Sequence, residues 1–200
     1  MYSSDTIDND MLNGGEVTPR FANFGPRLGA ALLDFLCLLP IVGASTYFTI
    51  FSPNFTGVLV VTLASMLYKP VMEKVYGATL GKIFLKLKVV AKEGLPLSWS
   101  QAWMRYLPWL VGGIFNLYMA KLVFDLPVME DVSGFMEYTM AMQEAQADGA
   151  ISPTLSILQS VIGFIPIISA FFILGNNRRQ AAHDILAETY VIHTQPKETL

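Results

Sequence analysis

Two charged residues at the first long apolar stretch are the leading candidates for chemistry. The stretch runs from Leu28 to Phe51, Arg27 stands directly before it, and Asp34 is the one formal charge inside it. A run of about 20 apolar residues is long enough to cross a bilayer as a helix. An acid inside such a helix is costly and marks a functional site by default. The alternative is that Asp34 only fastens this helix to a neighbour, because buried charges are usually paired.

The second apolar stretch carries the residues that we expect beside Asp34. It becomes polar near its end, where Tyr68, Lys69 and Glu73 occur. Asp34 lies about 10 Å along the helix axis from Arg27, and Lys69 is predicted at a similar depth. We therefore expect Asp34 to face the bundle interior near these residues. A tight pair with Lys69 would make Asp34 structural, whereas a Lys69 that extends to the surface leaves Asp34 as a proton acceptor.

A third candidate is His183, which is followed by Asp184. The two could act as a base and the group that orients it, but no nucleophile is nearby. A surface histidine is the alternative. Asp184 follows the last apolar stretch on the same membrane side as Arg27, so we expect these two to form an ion pair that survives a charge swap. Cys37 is the single cysteine, and the two histidines are isolated, so no metal site, cofactor or enzymatic activity is expected.

Composition and charge pattern predict an all-α polytopic membrane protein. Hydrophobic residues make up 53% of the chain and charged residues 14%, well below the usual quarter. The net charge of −3 gives no reason to expect a nucleic-acid partner. Transmembrane helices are predicted at about 28–51, 55–76, 109–124 and 154–174. Lysine and arginine concentrate before the first helix, between the second and third, and after the fourth, which predicts that both termini are cytoplasmic.

The connections between these helices have distinct characters. Leu87–Ala91 and Tyr190–Thr194 read as short strands that form a cytoplasmic β-ribbon, to which Leu95–Leu97 could add a third strand. An amphipathic interfacial helix over Thr79–Leu97 is the alternative. Arg105 lies among aromatic residues typical of a membrane interface. Basic residues here are expected to contact anionic lipid head groups, namely Lys82, Lys86 and Lys88.

The loop at 125–153 contains acids but no lysine or arginine, and Gly134–Ala147 in it reads as a short extracytoplasmic helix with a solvated face. The polar segments at 1–20 and 195–200 read as tails.

Three motifs in order resemble the RDD family of membrane proteins, which is named for one arginine and two aspartates. Arg27 and Asp34 match the arginine that opens the family's first helix and the aspartate within it. Gly77–Lys82 is similar to the family's G-x-T-x-G-K segment. Arg178–Asp184 is similar to its closing R-Q-x-x-H-D segment, and Arg105 matches an arginine common before the third helix.

The resemblance covers about Phe21 to His193, and Asp184 matches the second aspartate of the family. We therefore predict one membrane domain at residues 21–194. It implies residence in a bacterial inner membrane and, at most, solute or ion transport. Our first hypothesis is a small solute or cation/proton transporter that uses Asp34 and assembles as a homo-oligomer. The second is a non-transporting scaffold or accessory subunit, which binds a partner through the acidic loop or the basic cytoplasmic face.

Overall fold

The computed structural model describes residues 20–130 and 132–194 of the chain. The tails predicted at 1–20 and 195–200 therefore lie outside the described residues, except for Arg20. In the described part, helices dominate, and four of them are long and apolar enough to cross a membrane. The chain is thus a polytopic, all-α membrane protein with a small β-ribbon, as the sequence predicted.

The spanning segments agree closely with the predicted ones, with one extension. Helix α1 (Phe24–Thr46) continues through a π-helical turn to Phe51, and α2 covers Phe55–Val75. Helix α4 (Trp99–Phe124) begins ahead of the predicted start near residue 109 and runs through Pro108 without ending. Helix α6 (Pro153–Phe171) continues through a 3-10 turn to Gly175. An internal proline is tolerated in such helices because neighbouring groups satisfy the freed carbonyl.

Short elements connect the spans. Helix α3 is Leu80–Phe84, strand β1 is Leu87–Ala91, and helix α5 is Phe135–Ala147. Helix α7 is Ala182–Leu186 and strand β2 is Thr189–His193. Of the interfacial helix considered as the alternative for residues 79–97, only the short helix α3 is present, since the backbone changes to a strand after it.

The β-ribbon is confirmed, but its third member differs from the prediction. Strands β1 and β2 pair antiparallel, with Val89 opposite Val191. Leu95–Leu97 is not a strand, because a 3-10 turn at Lys92–Gly94 redirects the chain toward α4. Instead the chain before α1 pairs with β2, where Phe21 bridges Ile192 and the Ala22 N–H donates to the Val191 carbonyl at 2.8 Å.

The chain divides into two compact units. The first contains the described residues up to Leu36, Pro70–Tyr106 and those from Ser169 onward, and its core joins the ribbon to small residues of α1 and α4. The second contains Cys37–Lys69 and Leu107–Ile168. Its core lies under α5, where Ala141 and Ala145 are buried, so the short helix predicted within the loop at 125–153 is present and packs one face inward.

The first unit contains the same backbone path twice. Residues 77–91 and 179–193 each pass from a positive φ through an extended residue into a five-residue helix and then a five-residue strand. The starting φ is 71° at Gly77 and 51° at Arg179. Between helix and strand, Lys86 has φ 54° and Glu188 has φ 53°, the left-handed conformation that commonly ends helices.

These two copies are related by a local two-fold axis. Val89 and Val191 occupy equivalent positions in their copies, and they face each other at the centre of the ribbon. The hydrogen bonds repeat as well, since Ile83 N–H donates to the Thr79 carbonyl at 2.9 Å and Ile185 N–H donates to the Ala181 carbonyl at 3.0 Å. The symmetry allows each residue of one copy to be compared with its counterpart in the other.

Candidate functional site

A buried chain of ion pairs forms the polar centre of the first unit. Asp184 on α7 is fully buried, and its two carboxylate oxygens accept hydrogen bonds from Arg27 of α1 and Arg105 of α4. The predicted pair of Arg27 and Asp184 is therefore present. The prediction was incomplete, because a second arginine shares the same carboxylate.

The short helix α7 holds Asp184 in position. The carboxylate accepts the Ala181 N–H at 3.0 Å and so caps the helix on which it sits. Burial by itself would raise the pKa of the Asp184 carboxyl, but the facing guanidinium groups, Arg105 first, hold that pKa well below its usual range. Arg27 is fixed too, because it also donates to the Arg179 carbonyl at 2.6 Å. Asp184 therefore stays ionised at any pH near neutrality.

Arg105 continues the ion pairs to a second acid. Its Nε donates to Glu73 of α2 at 2.8 Å, and its Nη1 also donates to the Thr189 hydroxyl. Both Arg105 and Glu73 are fully buried. The aromatic surroundings predicted an interfacial Arg105, but it lies in the core, since its guanidinium joins two acids.

Lys82 completes the series. It pairs with Glu73, and 12% of its side chain is exposed. Its expected contact with lipid head groups stays a prediction. Lys86 and Lys88 are exposed. The alternating series Lys82, Glu73, Arg105, Asp184 and Arg27 is called the ion-pair chain below.

Asp34 lies beside the ion-pair chain at the start of α3. Its carboxylate accepts the Thr79 hydroxyl at 2.6 Å and the Gly81 N–H at 2.8 Å. A Cβ atom at Gly81 would lie 2.0 Å from the Ala30 carbonyl oxygen, so only glycine lets α3 approach α1 this closely. The side chain of Asp34 is half-buried.

The position of Lys69 was also predicted from sequence. Its ammonium lies 3.0 Å from the centroid of the Trp109 ring, a cation–π contact within the second unit. The expected proximity of Asp34 to Lys69 stays a prediction.

His183 is buried, which makes the surface alternative wrong. Its backbone N–H donates to the Ser169 hydroxyl at 3.2 Å, and its Nδ1 lies 2.8 Å from the same oxygen. In the neutral Nε2–H tautomer the hydroxyl donates to Nδ1, and Nε2 lies 3.4 Å from the Asp184 carboxylate. Serine, histidine and aspartate are thus neighbours, but all three are buried and the acid is held by two arginines. This arrangement anchors α7 to the end of α6.

Asp34 of α1 and Ser169 of α6 accept hydrogen bonds from equivalent positions of the two copies. His183 is the counterpart of Gly81, and each N–H at these positions donates to a side chain of a spanning helix. The acceptor is a carboxylate in one copy and a neutral hydroxyl in the other. Anchoring of the short helix therefore needs an acceptor but not a charge.

Sequence reasoning missed three residues that complete the site, namely Thr79, Ser169 and Thr189. Thr79 could have been found, since it is the fixed threonine of the G-x-T-x-G-K segment. Ser169 and Thr189 carry no sequence signal. Within residues 20–130 and 132–194, every buried side-chain nitrogen and oxygen has a hydrogen-bond partner, and no cluster of three or more histidines, cysteines or acids could hold a metal ion.

The comparisons with known proteins agree with the resemblance seen in the sequence. The model of the RDD family matches residues 21–188, a range that includes every member of the ion-pair chain and Asp34. Neither the search of curated proteins nor that of solved structures gave a match.

Proposed function

Because the chain belongs to the RDD family and one acid within its first spanning helix stays partly accessible, we propose that this multi-pass membrane protein carries a small solute or cation across the membrane. In this proposal Asp34 binds and releases the coupling proton or cation. An ionisable residue inside a membrane span is the usual marker of such a group.

The observation that carries the proposal is a contrast between acids. Asp184 and Glu73 are fully buried and each is paired with two cations, so neither can exchange a proton without breaking the core. Asp34 differs in its exposure, because it is half-buried inside a spanning helix, so a proton or a small cation can reach its carboxylate. The Thr79 hydroxyl and the Gly81 amide both donate to that carboxylate.

The two donors also allow Asp34 to be protonated without a change in the backbone. The Thr79 hydroxyl meets Oδ2, and the Gly81 amide meets Oδ1. A proton on Oδ2 can be accommodated, because a hydroxyl rotates and becomes an acceptor. The Gly81 amide keeps its bond to Oδ1 meanwhile. Asp34 can therefore gain and lose a proton while α3 stays docked.

Location and partners form part of the same proposal. The lysine and arginine residues before the first span, between the second and third, and after the fourth support cytoplasmic termini. The resemblance to the RDD family supports a bacterial inner membrane location. Four spans are few for a monomeric transporter, so the transport proposal includes a homo-oligomer. Lys86, exposed beside α3, is the side chain that would meet anionic lipids. The proposal includes neither an enzymatic reaction nor a nucleic-acid partner.

A second candidate is the non-transporting scaffold or accessory subunit. The observation in its favour is that Ser169 anchors α7 as Asp34 anchors α3, although Ser169 has no charge. Under this reading Asp34 is a helix anchor, and a partner binds the acidic loop or the basic face.

Purified protein in proteoliposomes separates these candidates. The vesicles contain a pH-sensitive dye, and cation flux is measured as a cation-dependent change in internal pH under an imposed pH gradient. Transport predicts flux with the native protein and none with Asp34→Asn, while that variant remains folded and inserted. The matched control is Asp125→Asn, an exposed acid of the loop, which should leave flux unchanged.

A further variant covers the case in which Asp34→Asn does not fold. Asp34→Ser copies the acceptor present at Ser169 and removes the ionisable group. A scaffold predicts that Asp34→Ser folds and keeps partner binding, whereas transport predicts folded protein without flux. Native protein with no flux above empty vesicles would refute transport, and full flux in Asp34→Ser would remove Asp34 from the mechanism.

A further inference from the structure

The two short helices α3 and α7 expose large apolar side chains at matching positions. In α3, Ile83 is 46% exposed and Phe84 is 65% exposed. Their counterparts in α7, Ile185 and Leu186, are 48% and 50% exposed. The opposite side of each helix is buried, at Gly81 and His183 respectively. Each copy of the repeat thus keeps an apolar pair on its outer side although most of the other residues differ.

The local symmetry places these pairs on one face. The two-fold axis that relates antiparallel strands runs perpendicular to the ribbon. Rotation about this axis exchanges the two strands but does not exchange the two faces of the ribbon. Because α3 and α7 are equivalent in the two copies, they lie on the same face of the ribbon and at its opposite ends.

The neighbouring spans indicate what covers this face. Helices α2 and α6 are the second and fourth spans, so both end at the same membrane surface. Helix α3 begins shortly after Val75, which is 58% exposed, and α7 follows Leu174, which is also 58% exposed. The apolar surface therefore continues from the lipid-facing ends of two spans onto the short helices.

We propose that α3 and α7 form a pair of interfacial anchors, whose outer side chains insert into the phospholipid leaflet at which α2 and α6 end. Ile83 and Phe84 enter the lipid from one copy, and Ile185 and Leu186 enter it from the other. Amphipathic helices lie in this plane with their apolar side in the boundary between head groups and acyl chains. Lys86 lies two residues after the end of α3 and is exposed, so it meets the lipid head groups beside the inserted pair.

This proposal does not depend on transport, because an anchored scaffold would need the same contact. It assigns the apolar face to lipid, and the other candidate occupants, water and a second copy of the chain, become outcomes of the test.

Site-directed spin labelling in vesicles of phosphatidylcholine and phosphatidylglycerol tests the proposal on the full chain. Nitroxides are attached at Phe84→Cys or Leu186→Cys in a Cys37→Ser background, since Cys37 is exposed. Lys88→Cys, on the exposed side of β1, is the matched control. The measurement compares collisions with oxygen, which concentrates in lipid, and with a nickel chelate, which stays in water.

The expected result is a ratio of oxygen to nickel collisions several times higher at positions 84 and 186 than at 88. A ratio like that of position 88 at either site would overturn the proposal, because that helix would then face water. Protection from both reagents, with spin–spin broadening that disappears on dilution by unlabelled protein, would assign the face to a second copy. If either variant fails to insert, Ile83→Cys and Ile185→Cys form the second symmetry-related pair.

Discussion

Replacement of Arg105 by methionine removes the centre of the ion-pair chain. Methionine keeps a long unbranched side chain, so the main change is the loss of a fully buried guanidinium. Removal of one partner of a buried pair typically costs about 3–5 kcal/mol, because a charge is left uncompensated. Glu73 keeps Lys82 and Asp184 keeps Arg27, so we expect the lower end of the range, about 3 kcal/mol.

The assay is reversible unfolding of the purified protein in mixed micelles, followed by circular dichroism as the denaturing detergent is increased. The matched control is Lys121→Met, which removes the exposed pair with Asp125 one helical turn away. Pairs of that kind contribute about 0.3–0.5 kcal/mol. A loss for Arg105→Met that equals the control would refute the reasoning, since the ion-pair chain would then contribute no more than a surface contact.

A double variant examines whether the members act together. Glu73→Gln alone leaves Arg105 with one acid, and Glu73→Gln with Arg105→Met removes both ends of a single contact. The double variant should therefore lose clearly less stability than the two single losses combined. Additive losses would mean that the two residues do not share an interaction.

Three further predictions concern single positions. Gly81→Ala should abolish folded, membrane-inserted protein because its Cβ would lie 2.0 Å from the Ala30 carbonyl oxygen, whereas Gly25→Ala, with nothing within 4 Å, should leave the yield unchanged. The lowered pKa of Asp184 gives stability that is present above pH about 3.9, the ordinary pKa of aspartate, and is lost as the pH falls through the lower folded-state pKa. Asp184→Asn should therefore flatten the acid limb of the unfolding curve. Ser98→Ala should cost about 1 kcal/mol in the micelle assay, because the Ser98 hydroxyl accepts the Gln101 N–H at 3.2 Å in a capping box at the start of α4.

The membrane segments and the ribbon could be predicted because their signals are local. Long apolar runs locate spans whatever their neighbours are, and short runs rich in valine and isoleucine locate β1 and β2 to within one residue. The pairing of Arg27 with Asp184 also followed from sequence. Both lie near the ends of spans in segments rich in basic residues, so they were predicted on the same side of the membrane. The planar guanidinium of an arginine suits a carboxylate, and the structure contains this pair.

The shared contacts could not be predicted, since they depend on packing. The charge pattern of the sequence predicts that Arg105, Lys82 and Glu73 lie on the same side of the membrane. It does not predict which of these side chains are buried in the core. One consequence is that a charge swap between Arg27 and Asp184 should fail to restore the pair, because the new guanidinium would face Arg105.

The internal repeat was missed for a similar reason. The copies share dihedral angles, but their side chains differ. Thr79 corresponds to Ala181, and Lys82 to Asp184. A search for repeated residues finds little, whereas the backbone path is the same because both copies form a short helix and a strand after a span.

The fold accounts for most of the residues by which the family is recognised, and this bears on where function can reside. Gly77 allows a turn with a positive φ, and Gly81 allows the close approach of α3 to α1. Lys82 forms an ion pair with Glu73. Asp184 binds two arginines and caps α7. Residues that build the core are required whatever the protein does. Asp34 is different, because the second copy performs the same anchoring with an uncharged serine at position 169. An acid inside a membrane span, whose helix-anchoring role is filled by an uncharged residue in the other copy, is the residue on which functional experiments should concentrate.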